Sequence, residues 1–410
     1  MKLEIKRQDF LKALQTAEKI AASKAIAEFV SSVKINAGDD GQVTIEATDL
    51  KTTVKSKVSS EGVSVIESGT GLLPLTVLGG MLKKYKCDTA MIEVKDTKGV
   101  LIAEGSKTKF PTVPVDMFPN VPESAGAEAV CEISASDLSR IITEGAVASS
   151  QPQDFPKYLG TCLLRTEEGR LKAVSTDGKR LSVSEVICNV SRDEDVLLPS
   201  GAVKELARQM ASYENENVRI LSDGSTVWFA LENVEFSIRK IDANFPDYKR
   251  ILSNETNTTL NIPCDKLMSA VERVDIIAKT TIPHVMVMDM NPEGKLKLTA
   301  RSPEFGVAGE YLEAEITGNP LQIGFNSAFF LDGLKSVGSG DVIIEFSSNE
   351  GQTRMKRKDD DTFLYMLMPS RLSQQDLADD ELDDSDSYSG STGDDNAEMH
   401  NDMPEGEPIF

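Results

Sequence analysis

The sequence predicts an α+β fold in which one domain, two helices backed by antiparallel sheet, is repeated three times in tandem. Three observations carry that reading. A strand-to-helix pattern recurs as EIKRQDFLKAL, EISASDLSRII and NIPCDKLMSAV, with Ile5, Ile133 and Ile262 at one place, 128 and 129 residues apart. A second helical pattern recurs as LPLTVLGGMLKKY, LPSGAVKELARQM and FNSAFFLDGLKSV. There Pro74, Pro199 and Phe325 stand 125 and 126 residues apart, and each has an apolar residue four positions on (Leu78, Val203, Phe329). The runs between helices alternate, are rich in Val, Ile and Thr, and break at Asp-Gly turns.

Taken in order, the first copy runs from a strand ending near Ile5 into a helix whose Phe10, Leu14, Ala17 and Ala21 share one stripe. The Asp40-Gly41 turn and VTIEATDL give a hairpin, and the helix around Leu78 follows. In the second copy Leu138, Ile141, Ile142 and Gly145 form the stripe, with Ser134 or Asp137 as its cap. Its hairpins turn at Asp177-Gly178 and Asp223-Gly224 through LKAVSTDG and STVWFALENVEFSIRK. The third copy repeats the stripe with Leu267 and Val271 and continues through LKLTARS. The domains are placed at 1–124, 129–254 and 258–372, joined by polar links such as SAGAE and ETNT, with an acidic tail at 373–410.

Composition fits a soluble globular protein, with 40% hydrophobic and 27% charged residues in a chain of 410. The opening MKLEIKRQDFLKAL alternates charge and apolar residues, and no later run reaches membrane-spanning length, so a cytoplasmic protein with no membrane contact is expected. The five cysteines (Cys87, Cys131, Cys162, Cys188, Cys264) are scattered without metal-ligand spacing and read as small buried hydrophobes. His284 and His400 are too few for a zinc site or proton relay. There is no Walker A loop, HExxH, Rossmann fingerprint or Ser-His-Asp set, so no catalysis, metal or cofactor is expected. Net charge is −22, but residues 373–410 hold thirteen of the acids and no Lys or Arg, leaving −9 on the body. Any surface that attracts a polyanion must therefore be local.

Tandem copies of such a sheet leave strand edges open at both ends. Each copy can pair with the next, and a head-to-tail contact between chains then closes a ring or grows a filament, three similar arcs per chain allowing closure by two chains without fixing that number. The helix faces away from the core carry Lys12, Lys19, Lys83, Lys84, Arg140, Arg208, Arg273 and Lys335, with Glu144, Glu205 and Asp332 among them. On composition alone these are ordinary solvated faces. Around a polyanion they need supply only weak contacts to phosphates.

At STDGKRLSV (175–183), NFPDYKRIL (244–252) and FLYMLMPSRL (363–372) the chain closely resembles the β subunit of bacterial DNA polymerase III, the β sliding clamp family. EATDL at 46–50, LLP at 72–74 and 197–199, and IGFN at 323–326 support it in the same order. The resemblance implies three DNA-clamp domains per chain and a homodimeric ring around duplex DNA. It also implies a tethering role for the polymerase III α subunit, the clamp loader and other proteins bearing a clamp-binding motif. It places Leu159, Thr176, Gly178, Lys179, Arg180, Leu181, Pro246, Ile251, Met366, Met368, Pro369 and Arg371 around a peptide pocket between domains 2 and 3. It sets Lys24, Lys83, Gln151, Lys157 and Tyr158 toward DNA.

The residue chemistry agrees with a permissive pocket: Asp177-Gly178 makes a tight turn, Pro246 stiffens one wall, and Met366 and Met368 are polarizable and adaptable. Arg180 or Arg371 is positioned to hold a polar end of a ligand. Lysine at 179 replaces a histidine common in the family, Ser370 replaces an apolar residue, and KAIAEFV (24–30) lacks a proline. The alternative reading is a repeat-built interaction scaffold with no DNA inside. The tail is expected to be disordered and solubilising, and its end at Pro408-Ile409-Phe410 offers two other uses, recruiting a partner or occupying the chain's own pocket.

Overall fold

Among the described residues six α-helices form, two per repeat: α1 (Arg7–Ile20), α2 (Leu75–Lys84), α3 (Ala135–Gly145), α4 (Ser200–Met210), α5 (Cys264–Ala278) and α6 (Ser327–Val337); Asn326, one residue after Phe325, is the counterpart of Pro74 and Pro199. This is a computed structural model, and it describes residues 1–21, 28–151, 154–252, 256–374 and 376. The apolar stripes are buried as read, with Phe10, Leu14, Leu138, Ile141, Leu267 and Val271 at 0% exposure. Of the two candidates for capping α3, Ser134 does so, its hydroxyl accepting from the Asp137 amide at 3.1 Å. The two helices of each domain pack against one another and share a hydrogen bond. Arg7 reaches the Leu82 carbonyl at 3.4 Å, the Ser139 hydroxyl donates to the Ala207 carbonyl at 2.8 Å, and Cys264 approaches the Leu334 carbonyl at 3.4 Å.

Among the described residues every strand pairing is antiparallel, and the strands make four sheets of five, nine, nine and four. The counts have one origin: each domain owns a five-stranded and a four-stranded sheet. Domain 2's five-stranded sheet ends on Val234–Arg239, which pairs with Thr52–Val58 at the edge of domain 1's four-stranded sheet. Domain 2's four-stranded sheet ends on Arg180–Ile187, which pairs with Asp360–Leu367 at the edge of domain 3's five-stranded sheet. Two joints thus become two continuous nine-stranded sheets. The remaining sheets, five strands in domain 1 and four in domain 3, stop at the edge strands Ser106–Pro111 and Gly306–Glu313.

The repeat extends to single hydrogen bonds. In the turn at 176–180, Thr176 Oγ1 accepts from the Gly178 amide at 3.1 Å and donates to the Arg180 carbonyl at 2.7 Å, while Asp177 accepts from Lys179 and Arg180. In the turn at 48–52, Thr48, Asp49, Leu50 and Thr52 make the same set at 2.6–3.0 Å. Gly178 takes φ +84° there, and Leu50 is forced to +75° at the equivalent place.

One expectation needs correction. Cys131 and Cys188, read as isolated, meet on one face of the pair Glu128–Ser134 and Asn189–Val190. Their side chains hydrogen-bond, and that contact together with burial holds the Cys131 thiol protonated.

Candidate pocket and helical face

The predicted pocket lies on the joint between domains 2 and 3. The turn at Thr176–Arg180 abuts the end of the Asp360–Leu367 strand, because Leu181 pairs with Met366 and the Met368 amide donates to the Lys179 carbonyl at 2.8 Å. The segment from Ile241 to Leu252 straps the outside of domain 2, and its far end is tied to domain 3. Gln352 donates to the Ile251 carbonyl at 2.8 Å and Arg354 to that of Leu252 at 2.9 Å. Thr176, Gly178, Lys179, Arg180, Met368 and Pro369 thereby meet at this joint with Ile251 tied to domain 3 beside it, while Pro246 lies along the strap between Phe245 and Tyr248.

Beneath the strap is a separate apolar cluster of Leu163, Val174, Leu181, Leu197, Tyr248 and Met366, with Phe245 and Leu252 packed against it. Two clefts border the strap, neither of them lined by a predicted pocket residue. One of about 1080 Å³ is lined by Leu163, Leu197, Lys240, Ile241 and Phe245; the other, of about 370 Å³, lies beside Tyr248, Lys249, Leu252 and Leu364.

Exposure divides the predicted residues by role. Met368 and Ile251 are both 46% exposed and offer apolar surface to a ligand. Leu181 and Met366 are buried at 2% and 3% and form the floor that holds the joint together. Arg180 is likewise committed. Its guanidinium meets Asp177 at 2.9 Å, Asp332 at 2.6 Å and the Tyr365 hydroxyl at 3.1 Å, and lies over the Phe329 ring at 4.1 Å. Burial works against its charge, but Tyr365 and the hydrogen bonds to Asp332 and Asp177 outweigh burial and raise its pKa. It buttresses the pocket wall, which leaves exposed Arg371 and Lys179 as the cations facing solvent. Leu159 sits a residue from Tyr158, whose ring packs edge-on to Phe245 at 5.9 Å.

Sequence reading missed Phe245, Tyr248, Leu163, Leu197 and Phe329. The FP pair was a signal for Phe245 and the FF pair for Phe329. No local pattern identifies which strand residues the strap covers.

A second junction braces the same joint on the helical side. The Glu144 carboxylate, only 8% exposed, accepts from Arg140 at 3.2 Å, from the Ser184 hydroxyl at 2.5 Å and from Arg357 of domain 3. The Glu144 carbonyl accepts from Ser182 at 2.6 Å.

Many of the predicted helical cations are paired within the chain: Lys83 with Glu18 at 2.5 Å, Arg208 with Glu205 at 2.6 Å, Arg273 with Glu310 at 2.6 Å, and Lys12 loosely with Asp9 at 4.0 Å. Lys19, Lys84 and Lys335 have no ion-pair partner among the described residues. Gln151 and Lys157 are exposed and Tyr158 is half-buried, all on the loop after α3. Lys24 lies outside the described residues. Among the described residues no cluster of His, Cys, Asp and Glu is arranged to hold a metal, and no helix is long and apolar enough to cross a membrane.

Comparison with known proteins matches three family models in sequence order. They are the N-terminal domain of the DNA polymerase III beta subunit at 1–122, its central domain at 132–247 and its C-terminal domain at 249–371. The beta sliding clamp of Vibrio cholerae is 26% identical over 374 residues, covering 91% of this chain and 100% of that protein. That of Staphylococcus aureus is 26% identical over 382 residues, covering 90% and 99%. The crystal structure of DNA polymerase III subunit beta from Pseudomonas aeruginosa superposes with a TM-score of 0.84 at 27% identity, covering 91% of this chain and all of that one. The Bacillus subtilis sliding clamp, at 22% identity, shares the fold with a TM-score of 0.85 and the same coverage.

Proposed function

Because the chain belongs to the DNA polymerase III beta-subunit family, matched across all three of its domains, we propose that two copies close into a ring through the edges each leaves open. The chain is a sliding clamp of the replication machinery, a processivity factor and not a catalyst.

The observation that supports closure is the strand arithmetic. Both joints within the chain pair a five-stranded with a four-stranded sheet, and one sheet of each kind remains, in domains 1 and 3. Pairing Ser106–Pro111 of one subunit with Gly306–Glu313 of the other makes a third nine-stranded sheet, and doing it twice pairs both joining edges of each chain. Apolar residues support an interface there. Phe305 is 58% exposed and Tyr311 54%, on or beside the open edge of domain 3, and Ile276 is 57% exposed on α5, which packs behind that sheet.

Duplex DNA would pass along the helical side. Lys19, Lys84 and Lys335 are unpaired among the described residues, and Lys12 and Lys83 can exchange weak surface pairs for phosphates. Gln151, Lys157 and Tyr158 would touch the backbone from their loop. Such contacts need not be strong, since the ring retains DNA by topology.

The pocket at the joint between domains 2 and 3 would take apolar peptide segments of the polymerase α subunit, the clamp loader and other replication proteins in the cytoplasm. Met368, Ile251, Pro246 and Pro369 supply surface, Leu159, Thr176 and Gly178 shape, and Lys179 and Arg371 charge. Light scattering at micromolar concentration tests assembly: the mass of two chains is expected, and a strictly single-chain mass contradicts the ring.

A further inference from the structure

The chain leaves each domain along one path. After domain 1 the Val113 amide donates to the Leu72 carbonyl at 3.0 Å; after domain 2, Ile241 donates to Leu197 at 2.8 Å; after domain 3, Ser370 donates to Gly324 at 2.8 Å. Leu72, Leu197 and Gly324 each lie two residues before the residue capping the domain's second helix, Pro74, Pro199 or Asn326. The three contacts are one contact repeated.

From the first of them, nine residues carry the chain to Pro122, whose carbonyl accepts from Trp228 of domain 2 at 3.3 Å. From the second, ten and eleven residues carry it to Ile251 and Leu252, bound to domain 3. Each exit segment therefore crosses the next joint within nine to eleven residues. The third starts the same way. Leu372 lies so close to Gly324 that an added Cβ there would stand 2.4 Å from its Cδ2, and Ser373–Asp376 forms a turn. The next joint on that path is the one between subunits. Nine to eleven residues beyond Ser370 are Asp379, Asp380 and Glu381, followed by Asp383, Asp384 and Asp386.

What they would meet is the outer face of domain 1's five-stranded sheet in the other copy. Strand alternation puts Lys2, Lys6, Lys95, Lys98, Lys107 and Lys109 on that face, away from buried Leu3, Ile5, Val94 and Phe110. None has an ion-pair partner among the described residues, and only Glu4, Glu67 and Glu93 share the face. On a body of net charge −9, this is a concentrated cationic surface.

We infer that the acidic segment 379–386 crosses the subunit joint and lies on this lysine face of the partner subunit, strapping the ring closed. The inference rests on the two-subunit ring. It concerns a segment that the similar proteins lack, since 91% of this chain already covers the whole of the Vibrio cholerae relative and the family match ends at 371.

The test is the rate of subunit exchange between fluorescently labelled full-length dimers, compared with chains ending at Asp376, from about 50 mM to about 1 M NaCl. Three or four exposed ion pairs per joint predict about tenfold faster exchange for the shortened chain at low salt, with the two rates converging at high salt. Simple charge repulsion predicts the opposite sign, because removing acids from a chain of net charge −22 would slow dissociation. Full-length Lys95→Gln/Lys98→Gln, altered away from the edge strand, should also exchange faster, and shortening that variant should add less. Equal or slower exchange of the shortened chain at low salt overturns the strap while leaving the ring intact. A single-chain mass for the full-length protein overturns both.

Discussion

Glu144 gives the sharpest test of how the pocket-bearing joint is held. Its carboxylate is almost fully buried, receives Arg140, Ser184 and Arg357, and so ties α3 and the Arg180–Ile187 strand of domain 2 to domain 3. Replacing it with Ala leaves the Arg357 guanidinium facing a cavity beside the Phe363 ring, with Val337, Ser336 and Asp360 as its remaining partners. Breaking a buried pair from one side costs about 3–5 kcal/mol, because the remaining charge stays desolvated. Arg357 keeps other partners and is 19% exposed, so the lower end, about 3 kcal/mol, is expected here. Glu144→Gln keeps the shape and some of the hydrogen bonds and should lose about half as much.

Amide exchange locates the loss. Protection should fall along Ser182–Ser184 and Phe363–Tyr365 at this joint, and persist at Val54 and Phe236 across the joint between domains 1 and 2. Peptide affinity should fall with it, since the pocket walls come from both sides of the same joint. A loss below about 1 kcal/mol, or equal loosening of both joints, would refute the assignment of Glu144 as the brace.

Met368→Asp and Ile251→Asp should weaken binding of a polymerase-derived peptide at least a hundredfold by fluorescence anisotropy, about 3 kcal/mol for desolvating a carboxylate, with the dimer mass unchanged. The same charge at Leu181 or Met366 should instead lower the unfolding midpoint, because those side chains are floor. Glu194 predicts an acid limb. Burial raises its pKa, but hydrogen bonds from Lys240, Ser222 and Arg192 outweigh burial and hold it below the ordinary value. A depressed carboxylate contributes stability that is intact above the ordinary glutamate range and is lost as pH falls through the folded value, so Glu194→Gln should flatten the low-pH loss measured by thermal denaturation. Deleting only Pro408–Phe410 should leave both peptide affinity and subunit exchange unchanged, because the strap assigns the contact to 379–386; tighter peptide binding would instead indicate that the tail end occupies the pocket.

The architecture was legible because its signals are periodic. Phe10, Leu138 and Leu267 mark one buried stripe three times, and the Thr-Asp turns recur with the same hydrogen bonds at Thr48 and Thr176. Local turn chemistry and helix period are properties of neighbouring residues, so sequence exposes them. The pocket was legible only in outline. Met366 and Met368 share one side of the strand alternation, so local pattern cannot separate them: Met366 pairs with Leu181 and packs with Tyr248 at 3% exposure, while Met368 lies past the strand's end at Leu367 and is 46% exposed. Arg180 looked available for a ligand because its partners Asp332 and Tyr365 lie more than 150 residues away in sequence. The approach of Cys131 to Cys188 was hidden for the same reason. The helical cations were identified as exposed, and the i,i+3 pair of Arg208 with Glu205 is local, but the pairing of Lys83 with Glu18 and of Arg273 with Glu310 appears only once helices and sheets are packed.

The central claim is a closed ring that holds DNA by topology rather than by affinity. Retention on nicked circular DNA after clamp-loader-driven loading, followed by a wash at about 1 M NaCl, tests it most directly, since phosphate contacts alone do not survive that salt. The account predicts that the protein stays on the circle and is released when a single double-strand cut linearises it. Release by salt from the intact circle, or retention on the linear form with free ends, would contradict it.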